Sequence, residues 1–169
     1  MIRLMFVCHG NICRSPMAEV IMKDLVEKEG LSEHFLIVSS ATSSEEIGKT
    51  RGNPVHPGAR AELARHGLSA GDKRAVQLKK EDYGKYDAFV GMDFYNIQNI
   101  NRLFRDDPGG KITRLLEHAG RRADVSDPWY TGEFDVAYRD IEEGCKALLD
   151  KLKKGIKEGK ELAYYHLLG

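Results

Sequence analysis

Cysteine is scarce in this chain of 169 residues, which contains only three. An odd number of cysteines, two of them (Cys8 and Cys13) close together near the amino terminus, does not build the disulfide framework of a small secreted domain. A second pair of Cys or His at ligand spacing is also missing. The sequence therefore predicts no metal site, and we expect no cofactor.

Long apolar runs and an excess of charge of one sign are missing as well. The longest apolar run near the amino terminus covers residues 4–7, which is too short for a signal peptide or a membrane-spanning helix. We therefore expect a cytoplasmic protein that does not insert into a membrane. Lys and Arg together number 26, as do Asp and Glu, so the formal net charge of zero does not favour binding to nucleic acid.

The chain does contain a regular alternation of strand-like and helix-like segments, without internal repeats or a linker. Short apolar segments predict strands at residues 2–7, 35–40, 86–91 and 111–116. Helical spacing of apolar residues predicts helices at residues 15–29, 58–66, 93–104 and 134–157. This order is typical of an α/β fold of the doubly wound, flavodoxin-like type, with three αβα layers around a parallel sheet. We expect a single domain over residues 1–169.

The most informative segment is VCHGNICRSP at residues 7–16, which joins the first strand to the first helix. Ser15 is expected to cap the helix, with Pro16 at the first helical position. We call residues 8–15 the motif loop. A loop of this length at a helix N-terminus can turn its backbone N–H groups inward around one tetrahedral oxyanion. In parallel sheets, ligands bind beyond the carboxyl ends of the strands, which is where this loop lies.

Each residue type in the motif loop suits that role. Gly10 allows a tight turn, and Asn11 tolerates left-handed backbone torsions. Arg14 can hold two phosphate oxygens with its planar guanidinium, and Ser15 can donate a hydrogen bond to a thiolate. The positive field that binds phosphate also favours Cys8 as a thiolate nucleophile. His9, Ile12 and Cys13 complete the predicted phosphate-binding loop. The alternative, a buried cysteine beside a surface arginine, does not explain the combination of residues over the whole segment 7–16.

A nucleophilic sulfur within a phosphate-binding loop indicates a phosphoryl-transfer site. Phosphoryl transfer also needs an acid for the leaving group, and Asp127 is the candidate. It stands in the segment SDPWYTG, where Pro128 stiffens the turn. The aromatic residues Trp129 and Tyr130 are expected to form a wall of the substrate cleft. An ordinary Asp-Pro turn is the alternative for this segment taken by itself.

Three segments together resemble the low-molecular-weight protein tyrosine phosphatases: residues 7–16, Met-Asp at 92–93 and DPWY at 127–130. The resemblance extends over essentially the whole chain, and the first motif is highly specific. It implies a four-stranded parallel sheet. It also implies a phosphotyrosine-bearing protein as the substrate, with a cognate tyrosine kinase that phosphorylates itself as a candidate partner.

The resemblance further implies a mechanism in two steps. Cys8 attacks phosphorus and forms a phosphocysteine, while Arg14 and the amides of residues 9–14 hold the transition-state oxygens. Asp127 protonates the leaving phenolate and then assists the water that hydrolyses the thiophosphate. Asp93 has a supporting role at its strand-to-helix junction. This mechanism agrees with the physical requirements, because a loose transition state needs mainly placement and charge stabilisation.

The sequence also departs from the family pattern. Glu45 stands where many members carry an aromatic residue on the wall of the cleft. Lys73 and Val76 stand where many members carry a His and an Arg, the His bonding the Asn of the motif. We therefore expect Asn11 to be held differently, with Ser40 as the candidate support.

Other functions fit the residues less well. A phosphoarginine phosphatase of the same family is the first alternative, but relatives with that activity tend to carry Thr where this chain has the aliphatic Ile12. Arsenate reductases that share the fold and the loop need further cysteines to relay electrons, and residues 60–100 contain none. A phospho-carrier has no use for an acid at Asp127. Cys13 either forms a protective disulfide with oxidised Cys8, as in related phosphatases, or is a small packing residue.

Overall fold

The computed structural model describes residues 1–157, and the rest of the predicted domain, residues 158–169, lies outside the described residues. Residues 1–157 contain four strands: β1 (Ile2–Cys8), β2 (Phe35–Ala41), β3 (Ala88–Gly91) and β4 (Ile112–Arg114). They form one parallel sheet in the order β2-β1-β3-β4. The helices are α1 (Arg14–Lys28), α2 (Pro57–Arg65), α3 (Phe94–Phe104), α4 (Pro128–Thr131) and α5 (Phe134–Lys157).

The central strand β1 supplies side chains to the cores on both faces of the sheet. Successive residues of a strand point to opposite faces. Leu4 and Phe6 belong to the larger core, which α1 and α5 cover. Met5 and Val7 belong to the smaller core, whose members from α3 include Ile100. This three-layer arrangement confirms the predicted α/β fold with its four-stranded parallel sheet.

The strand order places the motif loop at a change of direction in the sheet. From β1 the chain passes to β2 on one side, and β3 pairs with β1 on the other side. Crossovers that diverge in this way leave a crevice beyond the carboxyl end of the strand between them, and ligands of doubly wound folds bind there. The motif loop begins at that end of β1.

Two of the predicted strands are shorter than expected, and the one predicted at 86–91 covers only Ala88–Gly91. The segment predicted as a strand at 111–116 pairs with β3 only over Ile112–Arg114, and Leu115–Ala119 then forms a 3₁₀ helix. Leu115 and Leu116 are fully buried in the larger core, so their apolar character reflects packing and not strand pairing. Within residues 1–157, no helix is long and apolar enough to cross a membrane.

Candidate active site

The motif loop wraps around the sulfur of Cys8, which is the last residue of β1. Cys8 is only 3% exposed. Asn11 adopts a left-handed backbone conformation with φ 59°, and its N–H donates to Cys8 Sγ at 3.3 Å. The Ser15 hydroxyl lies 3.0 Å from the same sulfur. A buried sulfur with two such contacts can carry negative charge at lower cost than in an apolar site.

The start of α1 differs from the prediction. The helix begins at Arg14, with Cys13 at the cap position and without a side-chain cap, so the assignments of Ser15 as the N-cap and of Pro16 as the first helical residue are wrong. The Ser15 hydroxyl is engaged elsewhere: it accepts a hydrogen bond from Asn11 Nδ2 at 2.7 Å and contacts Cys8. Ser15 therefore joins the helix to the nucleophile and to the loop.

The side chain of Asn11 is held at both ends. The side-chain nitrogen Nδ2 also donates to Ser39 Oγ at 3.0 Å, and the side-chain oxygen Oδ1 accepts from the backbone N–H of Val76 at 2.9 Å. The expectation that Ser40 holds Asn11 is wrong. Because neighbouring residues of β2 face opposite sides of the sheet, the Ser40 hydroxyl donates to Met5 Sδ at 3.0 Å on the other face.

A buried ion pair lies behind Asn11, and sequence reasoning missed most of it. The Ser39 hydroxyl donates to Glu19 Oε1 at 2.7 Å, and Glu19 is only 8% exposed. Lys73 donates to the Ser39 carbonyl at 3.0 Å and lies 3.8 Å from Glu19 Oε1. Burial lowers the pKa of Lys73, and the charge of Glu19 opposes that shift. Glu19 could have been found, since it lies one helical turn after Ser15 and faces the same way.

Arg14 is buried at the start of α1 among acidic groups. Nη1 lies 2.6 Å from Asp93 Oδ2 and 2.9 Å from the Val125 carbonyl, and Nη2 lies 3.3 Å from Asp127 Oδ2. Burial by itself lowers the pKa of Arg14, but the charges of Cys8, Asp127 and Asp93 outweigh it and raise the pKa above its usual value. The guanidinium is therefore a fixed positive charge beside the sulfur.

Asp127 lies at the carboxyl edge of the sheet, where it caps the short helix α4. Its Oδ1 accepts from the Trp129 N–H at 3.1 Å, while Oδ2 faces Arg14. Pro128 occupies the first helical position, so it fixes the turn without the loss of a helical hydrogen bond. Asp127 thus lines the cleft together with the motif loop, and its carboxyl group contacts Arg14.

One cleft connects these groups with solvent. Trp129 and Tyr130, 57% and 83% exposed, lie on its rim and are not core aromatics. Glu45 contacts His9 across the mouth, with Nε2 and Oε2 3.1 Å apart. The cleft is lined by Cys8, His9, Gly10, Ile12, Cys13, Arg14, Glu45, Glu46, Asp127, Trp129 and Tyr130. Of these residues only Glu46 was missed by sequence reasoning, although it directly follows Glu45.

Cys13 also lines the cleft and is buried. Burial, followed by the negative charges of Cys8 and Asp127, raises the pKa of Cys13 to about 12. Cys8 and Cys13 are both free thiols in the structure, so a disulfide between them stays a prediction. Across residues 1–157, His, Cys, Asp and Glu side chains do not form a group of three that could hold a metal ion.

Comparisons with known proteins agree on one family. A family model described as low molecular weight phosphotyrosine protein phosphatase matches residues 3–158. The low molecular weight protein-tyrosine-phosphatase YfkJ of Bacillus subtilis is 38% identical over 156 residues, which cover 91% of this chain and 97% of that protein. The low molecular weight phosphotyrosine protein phosphatase of Sus scrofa is 32% identical, over 89% of this chain and 95% of its own length.

Solved structures also superpose on most of the chain. The crystal structure of YfkJ superposes with a TM-score of 0.85 and covers 91% of this chain and 96% of that one. A Drosophila arginine phosphatase superposes with a TM-score of 0.77 at 29% identity, over 87% of this chain and 95% of that chain.

Proposed function

This chain belongs to the low molecular weight phosphotyrosine protein phosphatase family and is a protein-tyrosine phosphatase; on that basis we propose how its residues carry out the reaction. Cys8 acts as the nucleophile, Arg14 holds the phosphoryl oxygens, and Asp127 is the general acid and base. The observation that carries the proposal is the convergence of the Cys8 sulfur, the Arg14 guanidinium and the Asp127 carboxyl group on one cleft.

In the first step, the Cys8 sulfur attacks phosphorus as the bond from phosphorus to the phenolic oxygen breaks. Asp127 transfers its proton to that oxygen, so a phenol leaves. Arg14 and the N–H groups of the motif loop stabilise the negative charge on the equatorial oxygens. Asp93 and the Val125 carbonyl support this step because they fix the guanidinium in place.

In the second step, a water molecule attacks the phosphocysteine and gives its proton to the Asp127 carboxylate. The bond between sulfur and phosphorus breaks, inorganic phosphate forms, and the electron pair returns to Cys8. The Ser15 hydroxyl, 3.0 Å from the sulfur, donates a hydrogen bond to the leaving thiolate. The same acidic residue therefore serves both steps in opposite protonation states.

The walls of the cleft suit an aromatic substrate. Ile12 lines the cleft as a buried aliphatic side chain, and the exposed rings of Trp129 and Tyr130 line it as well. Apolar and aromatic surfaces of this kind bury a phenyl ring well. We propose a phosphotyrosine residue of a protein as the substrate, and a tyrosine kinase that phosphorylates itself is a candidate partner.

Substitution of the two central residues tests the mechanism. We expect Cys8→Ser to reduce kcat for a phosphotyrosine peptide on the order of 10⁴-fold or more, because the nucleophile is removed. Asp127→Ala should reduce kcat about 10²- to 10⁴-fold for this substrate, which has a poor leaving group. Exposed Asp150 offers a matched control, and Asp150→Ala should behave as the wild type. Full activity in Cys8→Ser would contradict the mechanism.

A phosphoarginine residue is the second candidate substrate, and the structural likeness to an arginine phosphatase favours it. The aliphatic Ile12 opposes it, because this side chain offers nothing that hydrogen-bonds to a guanidinium. The ratio of kcat/KM for matched phosphotyrosine and phosphoarginine peptides decides between the two. We expect the ratio to favour phosphotyrosine, and a ratio below one would reverse the assignment.

Two further alternatives, a reductase that relays electrons and a phospho-carrier, are less well supported. All three cysteines of the chain lie within the described residues, and residues 60–100 contain none for an electron relay. A phospho-carrier would keep phosphate on Cys8, whereas rapid release of inorganic phosphate is expected here.

A further inference from the structure

Two carboxylates border the mouth of the cleft next to the motif loop. Glu45 is largely exposed, with 70% of its side chain accessible. Glu46 accepts a hydrogen bond from Asn53 Nδ2 at 2.6 Å, which holds its side chain in place. The Glu46 side chain also lies against Gly10, where an added Cβ would stand 3.2 Å from Glu46 Cγ. Both acidic residues therefore lie where a bound phosphopeptide must pass.

Aromatic surface is available at the same mouth. Trp129 is 57% exposed and Tyr130 is 83% exposed, and both line the cleft with the two glutamates. The rings of Trp129 and His56 make an edge-to-face contact, with centroids 5.6 Å apart. Carboxylates combined with exposed aromatic faces form an environment that suits Lys or Arg side chains, because it offers both ion pairing and cation–π contact.

Positive charge at the mouth is limited. Among the residues that line the cleft, only Arg14 and His9 can be cationic. Arg14 is engaged with Asp93 and faces the phosphate position, and His9 contacts Glu45. A phosphotyrosine dianion that enters this cleft therefore passes two carboxylates that repel it. A cation on the substrate itself would relieve that repulsion.

We infer that Glu45 and Glu46 select phosphotyrosines that are flanked by Arg or Lys and disfavour those that are flanked by Asp or Glu. The inference rests on the proposed function, because it concerns the peptide that surrounds the phosphotyrosine at the same site. The glutamates act on the flanking side chains and take no part in the transfer of the phosphoryl group.

Two phosphotyrosine peptides that differ only in the flanking residues test the inference. One carries Arg and the other carries Glu on both sides of the phosphotyrosine. At low ionic strength we expect kcat/KM of the wild type to favour the Arg peptide about tenfold. The preference should shrink as salt is added, because exposed charges are screened. A ratio near one, or a preference for the Glu peptide, would overturn the inference.

Variants assign the preference to the two carboxylates. Glu45→Gln/Glu46→Gln should bring the ratio close to one, and Glu45→Lys should bring it below one. Glu33→Gln is the matched control, since Glu33 precedes β2 at the opposite edge of the sheet, and it should keep the wild-type ratio. A double variant with the wild-type ratio would overturn the inference.

The readout separates this inference from the proposed function. Each ratio compares two peptides on one protein, so it does not depend on how active that protein is. If the wild type released phosphate from neither peptide, the proposed function itself would fail, and the inference with it. Release from both peptides at equal rates would overturn the inference alone.

Discussion

At the scale of single residues, Lys73 supports the motif loop without touching it. Its ammonium group donates to the Ser39 carbonyl and pairs with Glu19, and Ser39 in turn accepts a hydrogen bond from Asn11. Asn11 has a left-handed backbone at φ 59°, a conformation that residues other than Gly, Asn and Asp rarely adopt. The buried pair therefore helps to keep the loop closed around the Cys8 sulfur.

Removal of the Lys73 charge should destabilise the protein. We expect Lys73→Met to lower the free energy of unfolding by about 2 kcal/mol, because it leaves Glu19 buried without its inner cation. Lys23 pairs with the same carboxylate at 2.8 Å, but 54% of its side chain is exposed. Lys23→Met should therefore cost less than about 1 kcal/mol. Urea unfolding of both variants measures the difference, and equal losses would contradict this account.

Single residues also show where sequence reasoning stops. Cys8, Arg14 and Asp127 could be placed from their motifs, since Cys8 and Arg14 lie where β1 passes into α1 and Asp127 directly precedes a proline at the start of a helix. The choice of Ser40 as the partner of Asn11 was wrong by one position, since the partner is Ser39. Successive side chains of a strand point to opposite faces of the sheet, and a sequence match alone does not show which face a residue occupies. Ser39 was missed because its partners Asn11 and Glu19 lie far away in the chain, whereas the spacing of Glu19 one helical turn after Ser15 could have revealed it.

At the scale of elements, α5 packs closely on the 3₁₀ helix Leu115–Ala119. Gly144 of α5 allows this approach, because a Cβ at that position would lie 2.5 Å from Leu115 Cγ. Leu115 is fully buried and belongs to the larger core. The apolar stripe of α5 could be predicted from its periodicity. The short length of β4 could not, because buried leucines look alike in a strand and in a 3₁₀ helix.

The close approach at Gly144 predicts an unusual effect of alanine. In an open helix, Gly→Ala stabilises by about 1 kcal/mol. At Gly144 we expect Ala to destabilise by about 1–3 kcal/mol, since the new methyl group overpacks the core against Leu115. Lys146→Ala, at an exposed position of α5, is the control and should change the stability little. Thermal unfolding measures both variants, and a stabilised Gly144→Ala would disprove the close packing.

At the scale of the whole molecule, the doubly wound sheet brings distant segments of the chain to one edge. The motif loop follows β1, Asp93 follows β3, and Asp127 caps α4. This convergence could be predicted from the alternation of elements, because parallel strands share their carboxyl edge. The side-chain arrangement at the mouth could not, since it depends on how the loop that carries Glu45 and Glu46 folds back onto the motif loop.

The stability of the folded protein should depend on pH through His118. This side chain is buried, Nε2 pairs with Thr113 Oγ1 at 2.8 Å, and Nδ1 has no hydrogen-bond partner. Burial, assisted by the charge of Lys151, lowers the pKa of His118 to about 4. An unfolded histidine has a pKa of about 6.5, so below that pH the unfolded chain takes up the proton first. Stability should therefore fall as the pH drops from about 6.5 toward 4.

Between pH 7 and pH 5, His118 should contribute a loss of about 2 kcal/mol in the free energy of unfolding. His118→Gln keeps an acceptor for Thr113 but does not titrate, so its loss over this range should be smaller by that amount. Urea unfolding at the two pH values gives the comparison. An equal loss in both proteins would show that His118 does not set the pH dependence.

The central claim, a phosphoryl group carried on the Cys8 sulfur, is tested most directly by acid quenching of Asp127→Ala during turnover of p-nitrophenyl phosphate. This good leaving group needs no acid in the first step, while the second step lacks its base. We predict a burst of p-nitrophenol that matches the enzyme concentration, together with one phosphoryl group on the peptide that contains Cys8. Release of p-nitrophenol without a burst and without a phosphorylated Cys8 would contradict the account.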